Sequence, residues 1–307
     1  MHFAVYLPLA GSALLGLLAP LLGRWLPPAT ATRLLTAGGV MCAAAGLLAL
    51  AALASTFVGQ VPFVAGLGSW SARLVELQDP VPAMIAEVAT VVLAVVGMAV
   101  PVTLWRRTGA LVRVVRAGAD VPARADGLVV VDTPEPQAFA LPGLPGRPSR
   151  IVVSTGMLRV LRDDEHRVLL AHERAHVRHH HHWFRLASVV ATAANPLLFR
   201  LPAVVAQTTE RWADEEAAGR VGDRGLAARA IARAALATRR TGGAVSAGFD
   251  HGDVPVRVRS LLAGPPRRRP VVAFAVIIAL LACLVAAGEA QADIEDLFER
   301  ARHSSAL

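Results

Sequence analysis

The reading begins at residues 163–182, DDEHRVLLAHERAHVRHHHH, from Asp163 to His182. Inside it lies His172-Glu173-Arg174-Ala175-His176, an H-E-x-x-H pattern. Helical residues four apart stand on one face, so His172 and His176 can offer two imidazoles to one metal ion, with a spacing suited to tetrahedral zinc. Glu173 lies beside them and can take a proton from a metal-bound water. The flanks favour a helix. Asp163 is an N-cap candidate, Asp164 and Glu165 suit the positive helix end, and Val168, Leu169 and Leu170 begin an apolar face. Between Leu161 and Asn195 there is no Pro or Gly to break it.

Around this segment the composition points to a membrane. The 307 residues are 54% hydrophobic with mean hydropathy +0.50. Four apolar runs are long enough to cross a hydrocarbon core: about 5–22, 34–58, 83–105 and 271–288. Every basic side chain is Arg, and the net charge is +8. No nucleic-acid recognition motif accompanies that charge, so direct nucleic-acid binding is not expected. The two cysteines, Cys42 and Cys283, lie in apolar runs and form neither a disulfide framework nor a metal cluster.

Arginine placement sets the expected topology. Arg24 and Arg33 lie in the first connection, Arg106 and Arg107 close the third run, and Arg267, Arg268 and Arg269 precede the fourth. Residues 106–270 carry 26 arginines against 15 acids, which suits an anionic inner leaflet. The expectation is a multi-pass protein of the cell membrane, with both termini extracytoplasmic and the lipid bilayer as a constant partner. Residues 1–105 then hold three membrane helices, 106–270 a cytoplasmic domain, 271–288 the fourth helix and 289–307 a short outer tail. The expected fold class is an α-helical integral membrane protein with a cytoplasmic α+β domain that carries the H-E-x-x-H helix.

Within 106–270, residues 109–118 read as a basic amphipathic extension at the membrane surface. Three short β-like runs, 128–131, 137–141 and 150–154, suggest a small meander, followed by a short helix over 157–162. An exposed edge of such a sheet can pair with an extended substrate. Residues 184–206 are apolar but interrupted by Asn195-Pro196 and Arg200, which predicts two helical pieces, in the soluble domain or dipping into the bilayer. The four histidines 179–182 read as a helix end in solvent, with weak binding of a second metal ion as the alternative.

A catalytic zinc site needs a third protein ligand and an open position. In Glu210-Arg211-Trp212-Ala213-Asp214-Glu215-Glu216-Ala217, Glu210 and Asp214 share a helix face. Glu210 can ligate, and Asp214 can accept the free ring N–H of a ligand histidine and fix its tautomer.

Together, H-E-R-A-H and E-R-W-A-D-E-E-A resemble the membrane gluzincin peptidases, which are zincin-like. These comprise the HtpX-type heat-shock and CAAX prenyl proteases and the antirepressor metallopeptidases of the BlaR/MecR type. The resemblance implies one zinc per chain, held by His172, His176 and Glu210, with Glu173 as the base. Residues 137–143 and 151–158 look like the strand pair before the zinc helix in these peptidases. His251 and Arg257 resemble a C-terminal His and Arg segment and are candidate oxyanion stabilisers on that ground. The match covers roughly residues 125–262. Three apolar runs before the domain, one after it and Asn195-Pro196-Leu197-Leu198 all look like the BlaR/MecR type. Those sensors end in a large penicillin-binding domain, whereas 19 residues follow Gly288 here, so covalent β-lactam sensing is not expected. The resemblance implies a protein substrate: a transcriptional repressor in the antirepressor branch, a damaged membrane protein in the HtpX-type branch. A zinc-stabilised signalling receptor that cuts nothing is the rival class; the sequence names neither the stimulus nor the oligomeric state.

The arginine asymmetry makes a direct prediction. A reporter fused after Gly118 should read cytoplasmic and one fused at Leu307 external, and the opposite result at either point would overturn this topology.

Overall fold

In the computed structural model, residues 6–78, 82–117, 124, 127–143, 145–240 and 254–303 are described. Two apolar helices form a hairpin, α1 (Leu7–Trp25) and α2 (Pro28–Gly59). Two short helices follow, α3 (Pro62–Gly68) and α4 (Ala72–Gln78), and then α5 (Ala83–Ala117). The polar half begins with three strands, β1 (Leu128–Val131), β2 (Ala138–Leu141) and β3 (Arg150–Ser154). Five helices complete it: α6 (Thr155–Val160), α7 (Asp163–Arg178), α8 (His181–Ala194), α9 (Leu201–Val221) and α10 (Arg224–Arg240). A single 3₁₀ turn, Pro196–Leu198, joins α8 to α9. Last come α11 (Val254–Leu262) and α12 (Pro270–His303).

Four of these helices, α1, α2, α5 and α12, are long and apolar enough to cross a membrane. At about 1.5 Å per residue, α5 and α12 are each roughly 50 Å long, more than the ~30 Å hydrocarbon core needs. The basic stretch 109–117 is a helical continuation of the third apolar run, because α5 runs through it without a break. Likewise α12 does not stop near Gly288 but continues to His303. Its final turns pack Leu297 and Ala301 on Val75 of α4, with Phe298 edge-on to Trp70 at 4.9 Å.

The sheet order is β1-β3-β2, with β1 parallel and β2 antiparallel to β3. This corrects the meander: β1 and β2 do not pair, since the third strand inserts between them. Ser154 ends β3 and starts α6, its Oγ accepting from Gln137 N at 2.9 Å and Met157 N at 3.0 Å.

The interrupted stretch 184–206 is two helical pieces, as its Asn-Pro break suggests, and it packs on the apolar hairpin. Leu198, Leu201 and Val205 are fully buried in one core with Leu15, Ala19, Ala31 and Leu35. At the turn, Asn195 Nδ2 donates to Ser12 Oγ at 2.9 Å and to the Cys42 carbonyl at 3.3 Å. Those partners satisfy an amide that would otherwise be costly to bury. Gly16 lets α1 approach the turn: a Cβ there would lie 2.1 Å from the Leu197 carbonyl oxygen.

That contact is testable. Gly16→Val should destabilise the detergent-solubilised protein by about 1–3 kcal/mol through overpacking. Gly66→Val, where a Cβ meets nothing within 4 Å, should leave the melting temperature unchanged. Equal melting of both variants would remove the turn from the account of the core.

Candidate metal centre

The site lies where α7 faces α9. Helix α7 begins at Asp163, with Arg162 at the cap position, so Asp163 is its first residue rather than its cap. The Arg162 backbone N–H donates to Glu165 Oε2 at 3.0 Å, and the same carboxylate, fully buried, accepts from Arg233 at 2.9 Å. Val168, Ala171 and Ala175 bury one stripe of α7. Helix α9 buries Ala213, Ala217 and Ala218 and ends at Gly222, whose φ of 76° is the left-handed stop that favours glycine.

Between the two helices three ligand atoms converge. His172 Nε2 and His176 Nε2 are 3.1 Å apart. Glu210 Oε2 is 3.5 Å from His172 Nε2, and Glu210 Oε1 is 3.4 Å from His176 Nε2. Bonds of about 2.0–2.1 Å to a tetrahedral zinc place ligand atoms roughly 3.3 Å apart, and these separations, each to a different oxygen of Glu210, are close to that. Among the described residues the donor set is two imidazoles and one carboxylate, the three-ligand pattern of a catalytic rather than a closed structural site. His172, His176 and Glu210 could therefore hold a metal ion.

Asp214, one turn beyond Glu210, lies with Oδ1 3.0 Å from His172 Nδ1. The carboxylate thus lies within ion-pair reach of the first histidine, although in this geometry His172 Nδ1 makes no hydrogen bond among the described residues. Arg257 of α11 is 6% exposed and binds Asp214 with both arms, Nε to Oδ2 and Nη2 to Oδ1, each at 2.7 Å. Its Nη1 is 3.0 Å from Glu210 Oε2. The guanidinium, a candidate oxyanion stabiliser by resemblance, is here a clamp on the two α9 carboxylates. His251, the other candidate, lies outside the described residues.

Two residues at the site had no role in the sequence reading. Arg185 of α8 donates from Nη2 to Glu210 Oε1 at 2.6 Å and from Nε to Thr209 Oγ1 at 3.1 Å. His181, which the reading left in solvent, is 1% exposed and has its Nδ1 2.9 Å from His176 Nδ1. A run of four histidines gave no sign of which one turns inward. The signal lies in backbone geometry, since His180 adopts φ 53° and reverses the chain between α7 and α8.

The electrostatics follow from burial and these pairs. Burial pulls His172 down, but its contacts with Asp214 and Glu210 outweigh it and leave the ring raised to about 10. Bound metal would displace that proton. Burial pushes His176 down to about 3. Burial opposes the charge on Glu210, yet Arg257 and the two histidines hold it well below the usual carboxylate range. Burial lifts Glu173 to about 7, into the range of a general base.

Glu173 stands at the border of two clefts. An apolar one of about 890 Å³, including its open mouth, is lined by Phe139, Met157, Leu161 and Ile231, with His172 and Glu173 at one wall. A more polar one is bordered by His176, Arg185 and Glu210. Strand β2 contributes to both, and among the described residues it pairs only with β3, leaving its other edge unpaired.

The Arg257 clamp predicts a pH-dependent stability. In metal-free protein burial works against the Asp214 charge, but Arg257 outweighs it and holds the carboxyl below its ordinary value of 3.8. The contribution is complete above that value and is lost as pH falls through the lowered one. Arg257→Leu should cost about 3–5 kcal/mol at neutral pH and less in acid. An unchanged melting temperature at pH 7 would sink this account.

Comparison with known proteins bears on the same segment. No solved structure matches the chain. Residues 106–241 match the model of Peptidase family M48, a family of metallopeptidases, and that stretch contains His172, Glu173, His176, Glu210 and Asp214.

Proposed function

We propose that the protein is a membrane zinc endopeptidase that cuts a protein substrate at the cytoplasmic membrane face. The observation that carries this reading is the triangle of His172, His176 and Glu210 with Glu173 beside it, opening on two clefts that β2 borders. The M48 match and the four apolar helices support it.

In this reading His172 and His176 bind through Nε2 and Glu210 through its carboxylate. A zinc ion bound there would polarise the scissile carbonyl and acidify water. The edge of β2 that no described strand pairs can take an extended peptide as an added strand, which would position a backbone carbonyl over the site. An apolar substrate side chain can then fill the cleft lined by Phe139 and Ile231. Glu173 takes the proton from the attacking water and can return it to the departing amine. Asp214 holds the proton on Nδ1 of His172, leaving Nε2 bare for the metal. Arg257 and Arg185 keep Glu210 ionised.

Two substrates fit. The arrangement of apolar runs argues for a cytoplasmic repressor, as in the antirepressor branch. The resemblance to the HtpX-type branch argues for damaged membrane proteins. Both require the same chemistry, and one substitution tests it against a zinc-stabilised receptor. Glu173→Gln keeps the shape but cannot take a proton. Purified variant should retain about one zinc per chain, as a single three-ligand site requires, while cleavage of the substrate, or of the enzyme itself if it is autolytic, drops about 10²–10⁴-fold. If signalling in cells survives Glu173→Gln but not His172→Ala, the metal is structural and the peptidase reading falls.

A further inference from the structure

We propose that His181 is a positioning residue for His176. It acts as a neutral imidazole acceptor that keeps the proton on Nδ1 of His176 and so leaves Nε2 bare toward the metal. The inference rests on the ligand set proposed above.

The argument is one of donors and acceptors. His176 turns Nε2 to the ligand triangle, 3.1 Å from His172 Nε2 and 3.4 Å from Glu210 Oε1. Its other nitrogen, Nδ1, is 2.9 Å from His181 Nδ1. At that separation one nitrogen donates and the other accepts. A neutral ligand histidine bound through Nε2 carries its hydrogen on Nδ1, so His176 is the donor. His181 is then bare at Nδ1 and protonated at Nε2, a buried atom with no hydrogen-bond partner among the described residues, so the assignment rests on the Nδ1–Nδ1 contact. A ligand histidine is ordinarily steadied by a carboxylate, carbonyl or water. His172 has such a partner in Asp214, 3.0 Å away. Behind His176 the partner is a second imidazole, 1% exposed.

The fold builds this placement deliberately. His180 holds φ 53°, a left-handed conformation that is uncommon for a residue with a Cβ and persists only where the surroundings enforce it. That turn starts α8 at His181 and sends its ring back beneath His176, ring centroids 4.8 Å apart. Trp212 of α9 packs on His181 at 4.9 Å and also carries the Arg33 guanidinium of α2 at 4.6 Å. The acceptor is thus held by the helix that brings Glu210 and by the apolar hairpin.

The test uses the full chain in detergent, titrated with zinc against a chelator and with cobalt as a spectroscopic probe. His181→Phe keeps a ring against Trp212 but removes the acceptor. It should weaken zinc by about 10–100-fold and shift the visible cobalt bands. His181→Asn places an oxygen near the lost nitrogen and should restore both toward native. Native affinity and an unchanged cobalt spectrum in His181→Phe would overturn the proposal, as would equal loss in both variants. His176→Ala in the same titration separates the two levels: if it keeps full zinc affinity, the ligand set itself is wrong. Should His181→Phe fail to fold, nitrogen-15 histidine spectra of the native zinc-loaded protein decide. A proton on Nε2 alone of His181 supports the assignment, and a proton on its Nδ1 refutes it.

Discussion

The centre of the molecule depends on one buried carboxylate. Asp214, 2% exposed, meets His172 on one side and the forked guanidinium of Arg257 on the other. Three elements that are distant in sequence, α7, α9 and α11, are joined there. A buried ion pair of this kind contributes little net stability compared with a well-packed apolar substitute, but removing one partner strands a charge without water. Its value therefore lies in geometry. With Arg257 fixing the carboxylate, the orientation of His172 is fixed, and Nε2 faces Glu210 and His176.

Much of this was legible because it obeys helical spacing. His172 and His176 are four apart, as are Glu210 and Asp214, and each pair does share one face. The long apolar runs and the Asn-Pro break between α8 and α9 were legible for the same reason, since length and local chemistry decide them. What escaped was decided by pairing at a distance. Nothing in 128–154 signals that β3 lies between β1 and β2, because each strand's alternation is the same in either order. Arg257 carried the right charge for an oxyanion but is bound by two carboxylates that only the packing of α11 brings near. Arg185 and His181 had no motif at all. Their roles come from the reversal at His180, a backbone conformation that a run of identical residues cannot announce.

The two halves of the ligand set belong to differently supported helices. Helix α9 is tied to the apolar hairpin: Thr32 donates to Thr208 at 2.9 Å, and Arg211 donates to the Gly23 carbonyl at 2.7 Å. Glu210 lies between those two anchor points. Helix α7 packs on α9 itself and is tied to α10 through Val168, Ala171 and the Glu165–Arg233 pair, and to the sheet through Leu169 and Leu170.

A metal held by His172, His176 and Glu210 would therefore do more than supply chemistry. It would close the seam between a helix fastened to the membrane hairpin and a helix fastened to the polar half. Binding free energy of such an ion counts toward the folded arrangement, because the preformed set does not exist in the unfolded chain. Without the ion, Glu210 is held by Arg185 and Arg257 and His172 faces Asp214, and these pairs join the apolar packing of Val168 and Ala171 on Ala217 and Ala218 in keeping the seam shut. Those cations thus serve twice. They keep the carboxylates charged and in place before the ion arrives, and they lower the reorganisation needed when it does.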